Sequence, residues 1–305
     1  MTIKQGVAPR LRGKRVLCAG RLYCDLVMGG LPTAPIAGQE VYADTLAMTA
    51  GGGAYITAAY LVALGREVGL SALIPAEPFA GPIASELAAA GIDLAPCAFA
   101  PAGLDPQITV ALVMGDDRAF VTRRSGPAVP SDLPDLIAAG GYDHLHIGEL
   151  ATLAEMPDIV ARAKAAHMTV SVDCAWDTQV LARGDLVDLL AGADVFLPNR
   201  VEAAALARHA PLAAYAPLVV VKNGKNGAEA FAQGHQTHRP ALPVKVVDTV
   251  GAGDAFNAGF LDRWLDGANL TECLDAGARV ASVALARQGG ARGVERLARH
   301  RAAAE

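Results

Sequence analysis

The chain has 305 residues, 52% hydrophobic and 19% charged, a core-forming composition that excludes a disordered chain. A net charge of −5 argues against a general nucleic-acid binder, so no nucleic-acid partner is expected. No apolar run reaches membrane-spanning length, and five cysteines without a CxxC offer neither a disulfide framework nor a zinc site.

The opening "MTIKQGVAPRLRGKRVLCAG" is basic, but its apolar stretch is too short for a signal peptide. Residues 1–13 read as a loose arm, residues 14–305 as one α/β domain, and a cytoplasmic protein with no membrane partner is expected. "RVLCAG" reads as the first strand. "LPTAPIAGQEVYADTLAM" (31–48) carries prolines and strand-like alternation. "GGGAYITAAYLVALG" reads as a helix ending at Gly65, "EVGLSAL" as a strand, and "GPIASELAAAG" as a helix ending at Gly91. "PQITVALVMGDDRAFVTRRSG" (106–126) reads as a hairpin turning at Gly115-Asp116-Asp117. "YDHLHIG", "MTVSVD", "ADVFLPN" and "LVVVKNG" are four more strands, apolar nearly throughout, as when both faces of a sheet are covered. "GAEAFAQGHQTHRPAL" reads as another hairpin, and the final "ARHRAAAE" as a fraying helix end. The alternation predicts an α/β fold with a doubly wound, mostly parallel sheet flanked by helices. The segments at 31–48 and 106–126 break the rhythm and are assigned to a small β-sheet lid.

"DTVGAGDAFNAGF" (248–260) is the most informative stretch. Phe256, Phe260, Leu261 and Trp264 follow at helical spacing. The backbone amides of Gly251, Ala252 and Gly253 are thereby placed at a helix N-terminus, where unpaired N–H groups and the positive dipole end suit a phosphate. Asp254 falls in the first turn. A carboxylate beside an anion hole suits phosphoryl transfer: it accepts a proton from an attacking hydroxyl while the amides meet the charge in flight. The plain alternative is an acid in a favourable helix-start position behind a glycine turn.

The thirteen residues together resemble the C-terminal signature of the ribokinase-like, PfkB-type carbohydrate kinase family. Weaker stretches fall in that family's order. "GRLYCD" resembles the turn whose aspartate holds substrate hydroxyls, here Asp25, and the glycines Gly51, Gly52 and Gly53 resemble the N-terminal glycine motif. "LPNRVEA" resembles the Asn-x-x-Glu motif near magnesium and phosphates, giving Asn199 and Glu202, with Glu202 reaching the metal through water. "VVVKNGKNGA" resembles the turn before the nucleotide site, giving Lys222, Gly224 and Gly227. Thr249 and Gly290, the latter in "ARQGGA" (286–291), are assigned to the nucleotide, and Asp248 to a monovalent cation. The resemblance implies ATP, Mg2+, an activating K+, a small sugar-like acceptor, and a homodimer formed through the β lid.

Other features read more plainly. His144 and His146, two apart on one strand, are expected in the core, since no carboxylate or cysteine pattern supports a metal. His235 and His238 are expected in a polar turn. Arg123 and Arg124 are expected at an exposed hairpin base. No GxxxxGK[ST], GxSxG or HExxH occurs, and "CAGRLYCD" is a poor dinucleotide fingerprint. Two positions depart from the family pattern: Ile56 falls where sugar-kinase relatives place an asparagine, and Asp173-Cys174-Ala175 replaces Asp-Pro-Asn. With Ile56 at the acceptor, plain ribose is not expected as the substrate. Three readings stay open: a sugar kinase, a nucleoside kinase of the same family with Tyr55 near the base, and a catalytically silent sugar-binding protein on the same fold. The intact Gly-Ala-Gly-Asp speaks against the last.

Overall fold

Residues 12–297, apart from 105, 116, 288, 292 and 296, are described by a computed structural model. Most of the expected arm, Asp116 of the expected turn and the 298–305 end lie outside the described residues. Arg12 and Gly13, placed in the arm by sequence, open the first strand instead.

The main sheet has eight strands, in the order His235–Arg239, Ala228–Ala232, Leu218–Lys222, Val195–Leu197, Thr169–Asp173, His144–Ile147, Arg12–Ala19, Arg66–Ser71. The last six run parallel, and the first two are an antiparallel hairpin added at the edge. Their apolar sequences follow from the packing, because helices cover both faces. Leu145, Val170, Val172 and Val219 pack on one side with the helices Ile159–Ala165 and Arg200–Leu206. Val16, Leu70, Val195 and Val220 pack on the other against Gly53–Ala63, Ala252–Leu265 and Leu270–Leu285. Strand order reverses at Arg12–Ala19, and ligands of open α/β sheets bind beyond the carboxyl ends of the strands at such a switch point.

A second sheet of four strands stands apart, ordered Thr45–Gly51, Tyr23–Gly29, Ile108–Met114, Asp117–Arg123. The 106–126 hairpin is as expected. The 31–48 assignment is corrected: residues 31–44 form no strand, and only Thr45 onward pairs. Pro32, Pro35 and Gly38 interrupt the alternation, and proline cannot donate to a ladder. The missing strand is Tyr23–Gly29, which is separated from the first strand by only three residues and so reads as a turn in sequence. Register gives this sheet two unlike faces. One row across it is Met48, Leu26, Val110 and Val121; the next is Thr49, Asp25, Thr109 and Thr122. The polar row faces the carboxyl ends of the main strands, where Thr109 and Thr122 join the wall of a cavity.

Candidate active site

The helix Ala252–Leu265 starts from Gly251, whose backbone is left-handed at φ 71°. Only glycine takes that conformation without cost. The approach of Gly290 adds a second demand, since a Cβ on Gly251 would lie 2.7 Å from the Gly290 Cα. Asp254 follows in the first turn. Its carboxylate sits where two glycine-led helix starts meet, because a Cβ on Gly53 would come within 2.9 Å of Asp254 Oδ1 and 2.8 Å of the Gly148 carbonyl. Thr57 Oγ1 donates to the Asp254 carbonyl at 3.3 Å and ties the two helices together. Of the three motif amides, that of Ala252 donates to the Thr249 carbonyl at 3.3 Å.

Three carboxylates face this point from different elements. Asp173 ends the strand Thr169–Asp173, Glu202 lies in the first turn of Arg200–Leu206, and Asp254 completes the set. Asn199 and Glu202 form a capping box: Asn199 Oδ1 accepts from Val201 N and Glu202 N at 2.8 and 3.0 Å, and Glu202 Oε2 accepts from Asn199 N at 2.7 Å. Burial, and then the charge of Asp173, push the Asp254 carboxyl up to about 7 against the pull of Lys222. Glu202 is raised to about 7 in the same order of causes. Lys222 is held above its ordinary range although burial works against it, because Asp173 and then Glu202 stabilise its charge. Its ammonium donates to Asp173 Oδ1 at 2.9 Å and to Asn257 Oδ1 at 3.0 Å.

Two cavities meet here. One, of about 570 Å³, is polar at its heart and lined by Asp173, Asn199, Glu202, Lys222 and Asp254, with Tyr23, Thr109, Thr122, Arg124, Glu149 and Trp176 around its far end. The other, of about 670 Å³, is largely apolar, walled by Leu242, Val244, Val246, Phe256, Ala281 and Leu285. Lys222, Gly224 and Gly253 belong to both. The joint chamber therefore has an apolar slot, an acidic middle and a hydrogen-bonding end, joined across the N-terminus of one helix.

Most residues singled out in the sequence converge on this chamber. Gly53, Asn199, Glu202, Lys222, Gly224, Gly253 and Asp254 line the first cavity, and Gly227, Thr249 and Ala252 the second. Gly251 and Gly290 pack against each other and line neither cavity. Asp248 ties the motif to the 286–291 loop: its Oδ1 accepts from Val250 N and its Oδ2 from Gly289 N, both at 2.9 Å. Asp25, Gly51 and Gly52 do not line either cavity. The Asp25 carboxylate lies over Gly51 and bonds Thr109; burial, opposed by that bond, pushes it up to about 7. Among the described residues no group of three or more His, Cys, Asp or Glu side chains is arranged to hold a metal directly.

Ile56 needs correction. It packs in the core against Gly290, where a Cβ would be 2.6 Å from Ile56 Cδ1, and it lines neither cavity. Tyr55 likewise points to Glu86, 3.3 Å from its hydroxyl, not to the chamber. The helix Gly53–Ala63 is buried on nearly every side, so its sequence does not say which side faces a ligand. His144 and His146 are core residues as expected, bridged through Ser171 Oγ at 2.8 and 2.9 Å. His235 and His238 lie on the edge strand His235–Arg239.

Sequence reasoning passed over several residues. Arg124, read as an exposed hairpin base, turns into the cavity and pairs with Asp177 at 2.6 Å. Arg21 is 3% exposed and pairs with Glu149 at 3.3 Å and with Glu155. Burial raises Glu149, while Arg124 and Arg21 pull it back. Trp176 is 55% exposed at the mouth, just after Ala175, which takes a left-handed φ of 53°. A non-glycine residue in that conformation is uncommon, and His167 and Gln233 share it. The adjacent Arg123 and Arg124 were the available signal in the sequence.

Comparison with known proteins shows the family. The model of the pfkB family of carbohydrate kinases matches residues 14–296. An ATP-dependent ribose-1-phosphate kinase from Halopiger xanaduensis is 29% identical over 285 residues, covering 90% of this chain and 93% of the relative. A fructoselysine 6-kinase from Escherichia coli is 29% identical over 248 residues, covering 80% and 92%. Among solved structures, a ribokinase from Cryptococcus neoformans in complex with ADP superposes with a TM-score of 0.79 at 17% identity, over 95% of this chain and 100% of that one. These relatives are phosphotransferases of the ribokinase class acting on sugars or related molecules, with differing acceptors. The chain belongs to the pfkB family of carbohydrate kinases.

Proposed function

We propose that the protein moves the γ-phosphate of ATP to a hydroxyl of a sugar or sugar-like acceptor, with Asp254 as general base. The observation that carries this reading is the meeting of an apolar and a polar cavity at Lys222, Gly224 and Gly253, next to Asp254 in the polar one. The adenine enters the apolar slot beside Leu242, Val246 and Leu285. Its phosphates run past Gly224 and Thr249 to the start of the helix Ala252–Leu265. Because the Ala252 amide is engaged with Thr249, the cradle for the transferred group rests first on Gly251 and Gly253. The acceptor lies under the polar row of the second sheet. Asp254 takes the proton of the attacking hydroxyl, the new O–P bond forms, and the bond to the ADP oxygen breaks.

The acidic middle fits a divalent cation. Three carboxylates share it, and the lysine among them is engaged with Asp173. Mg2+ keeps most of its waters and leans on phosphates, so Glu202 would hold it through water. The cation would draw charge from the phosphates as the bond breaks. The place for a monovalent cation is the junction of Asp248 with the 286–291 loop, and the present bonds of Asp248 keep that junction closed.

At the acceptor end, Arg124 is the strongest donor. Arg124→Ala should raise KM for the acceptor about tenfold or more, the worth of a charged hydrogen bond, and leave KM for ATP unchanged. Initial rates with each substrate varied in turn decide this; equal acceptor KM values would place the acceptor elsewhere. The apolar face of the second sheet, with Leu46 67% and Val121 65% exposed, is proposed to be covered by a second copy of the chain. Sedimentation at micromolar concentration should show a dimer, and a monomer there would refute it.

The reaction itself is tested by ADP release across sugars, sugar acids, sugar phosphates and nucleosides. Release that depends on one class of acceptor supports the reading. No acceptor-dependent release with any of them would favour a silent binding protein.

A further inference from the structure

Lys222 lines both cavities, the position of a phosphate ligand. Its hydrogen bonds point elsewhere. An ammonium has three N–H donors. The Nζ lies 2.9 Å from Asp173 Oδ1, 3.1 Å from Asp173 Oδ2 and 3.0 Å from Asn257 Oδ1, so one N–H is shared between the two Asp173 oxygens and a second is directed at Asn257. Asn257 closes the ring: its Nδ2 donates to Asp173 Oδ2 at 2.6 Å. Asp173 is fixed from behind by Cys174 N, which donates to its Oδ1 at 2.7 Å. The side chains of Lys222 and Asp173 are 12% and 9% exposed, and Asn257 is fully buried. A phosphate that drew Lys222 away would leave the Asp173 charge buried and unpaired, which is the costly outcome for an ion pair of this kind.

The ring reaches the reacting group through the backbone. Asn257 stands three residues after Asp254 on the helix Ala252–Leu265, so the two side chains share one face of it. The Nζ also lies 3.6 Å from where a Cβ of Gly253 would be, directly beneath the motif. The two strands ending at Asp173 and Lys222 thereby hold the helix through Asn257, close beyond Asp254.

We propose that Lys222, Asp173 and Asn257 form a closed polar ring that positions Asp254, with Lys222 the internal counter-ion of Asp173 and not a ligand of ATP. The ring acts through the helix, so these are positioning residues. The inference rests on the reading of Asp254 as the base.

Charge-neutral replacement separates the two roles. Lys222→Met leaves Asp173 unpaired. It should lower kcat by roughly 10- to 100-fold, as misplacement of a reacting group by about 1 Å does, with KM for ATP changed less than about twofold. The double variant Lys222→Met/Asp173→Asn buries no unpaired charge and should recover most of that kcat, again at near-normal KM for ATP. A KM for ATP raised about tenfold or more in both variants, the loss of a charged phosphate contact, would overturn the proposal. So would an unchanged kcat in the single variant. If the single variant does not fold, the double variant carries the test on KM alone. Asp254→Asn measured alongside keeps the readings apart: turnover surviving there removes the base assignment, while the KM result still decides whether Lys222 binds ATP.

Discussion

Asp254→Asn should lower kcat by roughly 10²–10⁴-fold, the usual worth of a positioned general base, in a protein that still folds and still binds nucleotide. The change is isosteric and removes one of four acids that line the same cavity. Stability should therefore not suffer, because burial and the charge of Asp173 already disfavour the ionised form of Asp254. The pH profile follows from the same environment. The folded carboxyl is raised to about 7, and the base works only when deprotonated. In the free enzyme kcat/KM should thus rise with pH through about 7, well above the range of an ordinary carboxylate. Near-normal turnover in a folded Asp254→Asn protein would remove the residue from the mechanism.

Gly251→Ala should be the most damaging small substitution in the motif. Two independent requirements meet at this residue. Its φ is 71°, and a Cβ would lie 2.7 Å from Gly290 Cα and 2.8 Å from Gly290 O, which are backbone atoms that cannot swing aside. The left-handed conformation alone costs an alanine about 1–2 kcal/mol. The clash must then push the start of the helix Ala252–Leu265 away from the 286–291 loop and take the amides of Gly251 and Gly253 out of place. Losing one such donor in other enzymes costs roughly 10²–10³-fold in kcat. Gly267→Ala is the matched control, since Gly267 has φ 78° but open space around its would-be Cβ. That variant should lose stability by a similar strain and keep its turnover. Equal kcat values for the two alanine variants in steady-state assays would show that Gly251 serves the turn and not the phosphate.

The strands of the main sheet were legible because each is a short apolar run covered on both faces, and the alternation with helices fixed the fold class. The phosphate end was legible because Gly251 to Asp254 are contiguous and their spacing carries the chemistry. The ring beneath them was not. Asp173 and Asn257 are 84 residues apart, and nothing local marks them as partners. Arg124 and Asp177 are 53 residues apart and meet only because the second sheet stands over the main one. Ile56 was misplaced for the opposite reason: a helix that is apolar all round gives no phase, so one position cannot be told from its neighbour. The second sheet's central strand was hidden by its nearness to the first, and its register alone revealed one polar and one apolar face.

The most direct measurement is a crystal structure with a non-hydrolysable ATP analogue and the acceptor found by the ADP-release panel. The account predicts adenine between Leu242, Val246 and Leu285, the terminal phosphate against the amides of Gly251 and Gly253, and an acceptor hydroxyl within hydrogen-bond reach of Asp254. Lys222 should remain on Asp173 and Asn257. A nucleotide bound outside the apolar cavity, or an acceptor whose nearest hydroxyl faces another residue with Asp254 untouched, would contradict it.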